Sequence, residues 1–490
     1  MLIPLKRGPD KRGPDKKGTE PLSRQVYRWI RDAIVERALR AGEALPSTRE
    51  LAEENSISRT VVVQAYDQLM AEGFITGRHG SGTYVSEVLH PAASSVPCRT
   101  APVRLSRYGA RVVASKRAAQ SDERRPRPAR YDFAYGRCSL DEFPLAAWRR
   151  ILQRRTRTAP MRSFEYGTAG GDPALREAIA GHLRRSRAIH CDVSQVMIVN
   201  GSQQALDLTI RLLMNPGDTI VVEDPQYHGL RQVMLASALR VRAVPVDQDG
   251  IDVRRLPRQA RLAMVTPSHQ FPTGAVLSLE RRLALLEWAR RANAVVVEDD
   301  YDGEFRYEGE PLEPLQSLDR EGRVLYVGTF SRTVFPALRI GYVVAPQPLV
   351  PAFLAAKWIA DRHTAVLEQE TLAEFIASGA YERHLRRTRR ANAKRREALL
   401  SSIDRYLGDR VTISGSRAGS HISLWPCAKI SAPKVSAEET IARAAAAGVH
   451  IYGIGSYYLR QPPPVGFLLG YAGLTVPQIR EGIRRLADVL

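Results

Sequence analysis

An aspartate at the end of an apolar run is the first sign of chemistry in this chain. In 294-AVVVEDD-300 the Asp299 carboxylate closes a strand-like Val segment, where a charge needs a partner such as a protonated ring nitrogen; Tyr301 stands beside it. Four other segments could surround the same ligand. In 200-NGSQQALDL-208 a Gly-Ser turn opens a helix, so Gly201, Ser202 and Gln203 could present backbone N–H groups to an anion. In 223-EDPQYHG-229, Tyr227 follows a strand and a proline, where an aromatic could stack on a ring. The run 266-TPSHQFPTG-274, with His269 inside it, has Pro and Gly enough to turn sharply under a ligand. In 328-GTFSRTVFPALRIGY-342, Thr329, Ser331 and Arg339 could hold a phosphate dianion, and Arg332 offers a second guanidinium. Taken singly, each is also an ordinary structural feature, since Gly-Ser turns start many helices and a lone Tyr belongs as readily to a core.

These segments share a setting. Each follows a short Val/Ile-rich run, namely 196-VMIVN-200, 219-TIVVED-224, 262-LAMVTP-267, 294-AVVVEDD-300 and 324-VLYVGTF-330, and longer amphipathic segments lie between them. That alternation predicts buried parallel strands with crossover helices, and open α/β sheets place ligands at their strand ends. The α/β region begins at Tyr131. Before it, residues 88–130 are rich in Pro, Ser, Ala and Arg without apolar periodicity, which reads as a flexible linker. Residues 1–18 hold an imperfect KRGPD repeat with nothing to bury, which reads as a mobile basic arm.

The remaining block, residues 19–87, has a different pattern. Val26, Ile30, Ala33, Ile34 and Leu39 recur at helical spacing between Arg24 and Arg40, ahead of Gly42. Ser47 with Glu50 forms a capping box for a second helix. Ser58 reads as the N-cap of a third helix, with Ile57 and Val62 as a hydrophobic staple and Val61, Ala65 and Leu69 inward, leaving Arg59, Thr60 and Gln64 outward. In such a helix-turn-helix the start of the later helix reaches base edges while earlier residues hold phosphate. A hairpin follows, with strands at Phe74–Thr76 and Thr83–Val85 and a turn carrying Arg78, His79 and Gly80 toward a groove.

Composition agrees with a polyanionic partner. The chain has 490 residues, too many for one ordinary domain, and a formal net charge of +20. Residues 1–130 hold 24 Lys/Arg against 14 Asp/Glu, so half of the excess lies in about a quarter of the chain. The four cysteines, Cys98, Cys138, Cys191 and Cys427, show no CxxC spacing, which argues against a disulfide framework or a zinc site. No apolar leader segment or membrane-length apolar run is present, so a cytoplasmic location is expected.

The run 46-PSTRELAEENSISRTVVVQAYDQLMAEGFITGRHGSGTYV-85 resembles the GntR-type winged helix. By that resemblance Arg49 contacts the DNA backbone, Arg59 and Thr60 sit in the major groove, and Arg78, His79 and Gly80 belong to the wing. The later segments, in their order, resemble the fold-type I aminotransferases, and the combination resembles the MocR family of regulators. What the resemblance implies is a multidomain protein: a winged helix-turn-helix, then a large α/β domain over residues 131–490 with large and small subdomains, forming a homodimer on double-stranded DNA and answering to a small-molecule effector. It further implies that Ser202, Gln203 and Arg339 bind the phosphate of pyridoxal 5'-phosphate, that Tyr227 stacks on its ring, that Asp299 pairs its nitrogen, and that Tyr301 bonds its phenolic oxygen within a pocket that includes Gly201, His269, Thr329, Ser331 and Arg332.

One position departs from the pattern. The family motif has a lysine after GTFS, whose amine links to the cofactor aldehyde; here the residue is Arg332, which stays protonated and is no such nucleophile. Neither Lys357 nor Lys394 lies in an equivalent segment. No arginine directly precedes 466-GFLLGYA-472 either, where aminotransferases commonly hold a substrate carboxylate. The expectation is therefore a regulator with a degenerate pocket, no catalytic residues, and pyridoxal phosphate held noncovalently if it binds. Two other readings stay open: an architectural DNA-binding dimer with a vestigial pocket, and an aminotransferase with an appended head.

Overall fold

The computed structural model describes residues 1–5, 20–78, 82–87, 104–123, 129–309, 313–427, 436–461 and 463–490. It separates into two compact units, Met1–Arg104 and Leu105–Leu490.

In the first unit α1 (Leu22–Val35), β1 (Ala44–Leu45), α2 (Thr48–Glu54), α3 (Arg59–Ala71), β2 (Ile75–Arg78) and β3 (Gly82–Val85) follow one another. On α3 the buried residues are Val62, Ala65, Tyr66 and Leu69, a helical stripe that packs with Val26, Ile30, Ile34 and Leu51 into one core. The Ser47–Glu50 capping box starts α2 as the spacing predicts. The first helix is shorter than its apolar pattern, ending at Val35, because Arg37 takes a left-handed φ of 63°. The wing is an antiparallel sheet ordered β1-β3-β2, with strands reaching a residue or two further into the turn than expected. Residues 6–18 of the expected arm lie outside the described residues. Met1–Leu5 do not behave as an arm, since Ile3 joins the core and its N–H donates to Asn55 Oδ1 at 2.7 Å. Their apolar Leu-Ile-Pro-Leu content distinguishes them from the repeat that follows.

The second unit begins inside the expected linker. Residues Arg107–Glu123 form α4, and Arg111 Nε donates to the Ala236 carbonyl at 2.7 Å, while Tyr108 accepts from Arg211 Nη2 at 3.3 Å. Docking through polar anchors explains why no apolar periodicity marks this helix. After β4 (Tyr131–Asp132), α5 (Leu145–Thr158) and α6 (Pro173–Arg187) come the strands β5 (Val196–Val199), β6 (Thr219–Asp224), β7 (Arg240–Asp247), β8 (Gly250–Ile251), β9 (Leu262–Val265), β10 (Val295–Asp300), β11 (Val324–Thr329) and β12 (Gly341–Val344). They form one sheet ordered β5-β12-β11-β10-β9-β6-β7-β8.

The run from β11 through β10, β9 and β6 to β7 is parallel, as predicted. β12 is antiparallel to both its neighbours, a strand that apolar content alone did not orient. Both faces are covered. Val196 and Ile198 join one core and Met197 and Val199 another, the alternation of a strand buried on two sides. Full burial of each such side chain contributes about 1.5–3 kcal/mol. A smaller subdomain has its own core around Phe133, Leu399, Ile422, Phe467 and Ile483 and a four-stranded sheet built from strands beyond Val411.

Candidate functional site

The C-terminal ends of β5, β6, β9, β10 and β11 converge on a cavity of about 210 Å³. At one end, Ser202 opens α7 (Ser202–Leu213). Its N-cap, Gly201, has φ 82°, and a Cβ there would meet Arg339 Nη2 at 2.5 Å, so glycine is what lets the guanidinium lie against the turn. Arg339 Nη2 donates to the Asn200 carbonyl at 2.9 Å. Free helix N–H groups beside a guanidinium make an anion site. Behind it Asp361 accepts from Asn200 Nδ2 at 2.5 Å and Gln204 Nε2 at 2.7 Å, and pairs with buried Lys357 at 2.5 Å.

At the other end lies Asp299. Alternation along β10 separates it from its neighbours: Glu298 accepts from the Leu315 and Gln316 N–H groups, and Asp300 pairs with buried Arg187 and accepts from Tyr326 at 2.6 Å. Asp299 Oδ1 is buried without a partner. Burial, reinforced by Asp300, Asp302 and Glu223 and opposed by Arg332, pushes its pKa up to about 7. Such a carboxylate is a ready acceptor for a ring N–H.

Between these ends, Tyr227, Tyr301 and Phe271 supply aromatic walls. Tyr301 donates to the His269 carbonyl at 2.8 Å, and His269 Nδ1 lies 3.0 Å from Asp302 Oδ2. Arg332 stacks over Tyr135, 4.1 Å from the ring centre, a cation–π geometry, and its Nη1 is buried without a partner. Burial opposes the guanidinium charge, yet Tyr135, Asp302 and Tyr301 more than offset this and its pKa is raised.

Nine expected residues line this cavity: Ser202, Gln203, Tyr227, Asp299, Tyr301, Thr329, Ser331, Arg332 and Arg339. Gly201 is at its rim as the N-cap. His269 is not in the wall; it stands behind Tyr301, buried, with both its carbonyl (2.8 Å) and its Nδ1 (3.1 Å) at that hydroxyl. Sequence reasoning missed Tyr135, Gly136, Thr266, Phe271 and Pro336. Thr266 and Phe271 lay inside a quoted segment, but Tyr135 and Gly136 lie in 131-YDFAYGRC-138, a stretch with no motif of its own. Lys357 and Lys394 do not line the cavity.

Three buried carboxyls share one titration range. Burial pushes Glu223, Glu298 and Asp299 up to about 7 each. The folded chain keeps protons on these groups that the unfolded chain releases near pH 4, so their contribution to stability is fully present below about pH 4 and is lost as pH rises to 7. His384 and His421, whose burial resists protonation, oppose this, but fewer groups are involved, and His269 is shifted upward instead. The ligand-free melting temperature is expected to fall between about pH 4.5 and 7 and to level off above it; a rise across that window would contradict the assignment.

On the first unit, Ser58, Arg59, Thr60 and Gln64 are exposed along the start of α3. Ser58 holds the N-cap position, though its hydroxyl makes no capping bond. Arg59 Nε donates to Thr48 Oγ1 at 3.3 Å, and Arg49 makes an exposed pair with Glu53 at 3.0 Å. Arg78 lies over the Tyr84 ring and pairs with Glu87. His79 and Gly80 lie outside the described residues. Among described residues no helix is long and apolar enough to cross a membrane.

Comparison with known proteins matches residues 131–486 to the aminotransferase class I and II family and residues 22–85 to the gntR family of bacterial regulatory proteins. Over 470 residues the chain is 37% identical to the probable rhizopine catabolism regulatory protein MocR of Rhizobium meliloti, covering 95% of this chain and 93% of that one. It is 33% identical to the pyridoxine biosynthesis transcriptional regulator PdxR of Corynebacterium glutamicum over 80% of each. Among solved structures, the kynurenine aminotransferase of Pyrococcus horikoshii superimposes with a TM-score of 0.68 at 29% identity, over 79% of this chain and 95% of that one.

Proposed function

Because this chain belongs to the MocR-type regulators, an aminotransferase class I and II domain behind a GntR head, we propose that it regulates transcription by binding DNA through α3 and the wing while its large unit holds pyridoxal phosphate without a covalent bond. The observation that carries the second half is the unpartnered Asp299 Oδ1 in a cavity whose far end is the Gly201–Arg339 anion site. That pair of ends fits the cofactor's ring nitrogen and phosphate. On this reading Tyr227 covers the ring and Tyr301 meets its phenolic oxygen, which their places in the cavity wall support. Bound through a lysine, this cofactor supplies an electron sink for amino-acid chemistry; here the residue in the family's lysine position is Arg332, and no lysine with a described side chain lines the cavity. We therefore read the site as a sensor with no transaminase activity.

The assembly we propose is a homodimer through the second unit. An apolar surface there joins Tyr166 (82% exposed), Trp358 and Ile359 (78% exposed), with Arg362 stacked on both Tyr166 and Trp358. A solvent-facing cluster of that kind marks an interaction site, and a twofold pair of heads implies paired half-sites on DNA.

Equilibrium dialysis of the full chain against pyridoxal phosphate tests the pocket. Saturable binding of one molecule per chain, fully reversed on dialysis, is expected. No saturable binding would favour the architectural reading.

A further inference from the structure

The cavity contains two cationic side chains with different commitments. Arg339 is engaged at the anion end through the Asn200 carbonyl, whereas Arg332 leans on Tyr135 with Nη1 unpartnered and buried. Asp299 Oδ1 is the opposite case, a buried acceptor without a donor. A phosphate and a ring N–H would satisfy Arg339 and Asp299 and leave the second guanidinium unmatched. An aldehyde answers it with one weak acceptor. Leu468 of the late strand packs with Phe271 and Tyr301 in an apolar cluster, the other cavity-lining groups are neutral apart from Asp299, and Asp302, whose charge favours the Arg332 cation, is engaged by His269 at 3.0 Å.

On the reading that this pocket takes a phosphorylated pyridine, we propose that it selects a ring whose one-carbon substituent is a carboxylate over the corresponding aldehyde. The carboxylate would accept two N–H bonds from the planar fork of Arg332, a geometry that an ammonium in its place could not offer. Arg332 then sets specificity: the residue that takes the place of a covalent anchor reads the oxidation level of the carbon once anchored. The charge count agrees, with two anionic groups of the ligand facing two guanidiniums and its ring N–H facing one carboxylate. Tyr135 keeps the guanidinium plane in place from below, at 4.1 Å.

Isothermal titration of the full chain tests this, above the Asp299 pKa of about 7. The probes are four phosphorylated hydroxypyridines that differ in one substituent: the aldehyde (pyridoxal phosphate), the alcohol (pyridoxine phosphate), the amine (pyridoxamine phosphate) and the carboxylate (4-pyridoxic acid 5'-phosphate). The carboxylate is expected to bind at least about tenfold tighter than the alcohol or the aldehyde, a difference of about 1.4 kcal/mol, and the amine weakest of all. In Arg332→Gln the preference of the carboxylate over the alcohol should fall to within about twofold. If all four bind the wild type alike, or the aldehyde binds best, the selectivity is wrong but the cofactor pocket stands. If none binds, both the selectivity and the pocket reading fail. A carboxylate preference that survives in Arg332→Gln would overturn the assignment to Arg332.

Discussion

Replacing Arg332 by lysine should give this protein a borohydride-stable adduct with pyridoxal phosphate that the wild type does not form. Asp299, Tyr301, Tyr227, Ser202 and Arg339 stay in place around the cavity, so on the proposed reading the substitution supplies the nucleophile that the pocket lacks. Lysine is shorter than arginine, and its amine, unlike a guanidinium, can give up its proton and attack an aldehyde. Peptide mapping after reduction should find the adduct on residue 332 and tighten binding by at least about tenfold. An adduct on a wild-type lysine would show that a distant residue reaches the pocket. Absence of any adduct in Arg332→Lys would show that more than the lysine has been lost.

Arg59→Ala should lower specific DNA affinity by about 1–3 kcal/mol and relax base preference, as expected for a side chain reading a base edge. Arg59 is exposed at the start of α3, and its contact with Thr48 is a single 3.3 Å bond, so the fold should survive the change. Arg49→Ala differs in kind. Its exposed pair with Glu53 is of little worth to stability, so the arginine is free for phosphate, and its loss should weaken binding to all duplexes alike and reduce the salt slope by about one. Unchanged affinity and preference in Arg59→Ala would move the recognition surface elsewhere.

Much of this was legible in the sequence where one residue broke a local rule. Asp299 stood out because a carboxylate on a Val-rich strand has to be matched, and the structure places its oxygen unmatched in the cavity. Gly201 and Arg339 were visible as a helix start and a cation, although the left-handed φ of Gly201 that brings them together was not. Tyr135 was hidden for a different reason. It follows a two-residue strand that belongs to the small subdomain, and only the tertiary fold carries it nearly 200 positions along the chain to Arg332. His269 lies behind Tyr301 and not in the cavity wall, a depth that only the tertiary fold fixes. α4 escaped notice since helices anchored through arginine leave no apolar stripe. β12 was not among the apolar runs singled out, and its reversed direction is fixed by pairing on both sides.

The central claim joins two units of one chain, and a single titration tests it. Duplexes selected by the full chain from a randomised library would be titrated by fluorescence anisotropy with and without saturating pyridoxal phosphate, at two salt concentrations. The expected result is enrichment of paired half-sites, affinity that falls steeply with salt, and a several-fold change in affinity on adding the ligand, corresponding to a coupling of about 1–3 kcal/mol. No enrichment of any sequence, or an affinity indifferent to the ligand, would contradict a DNA-binding sensor.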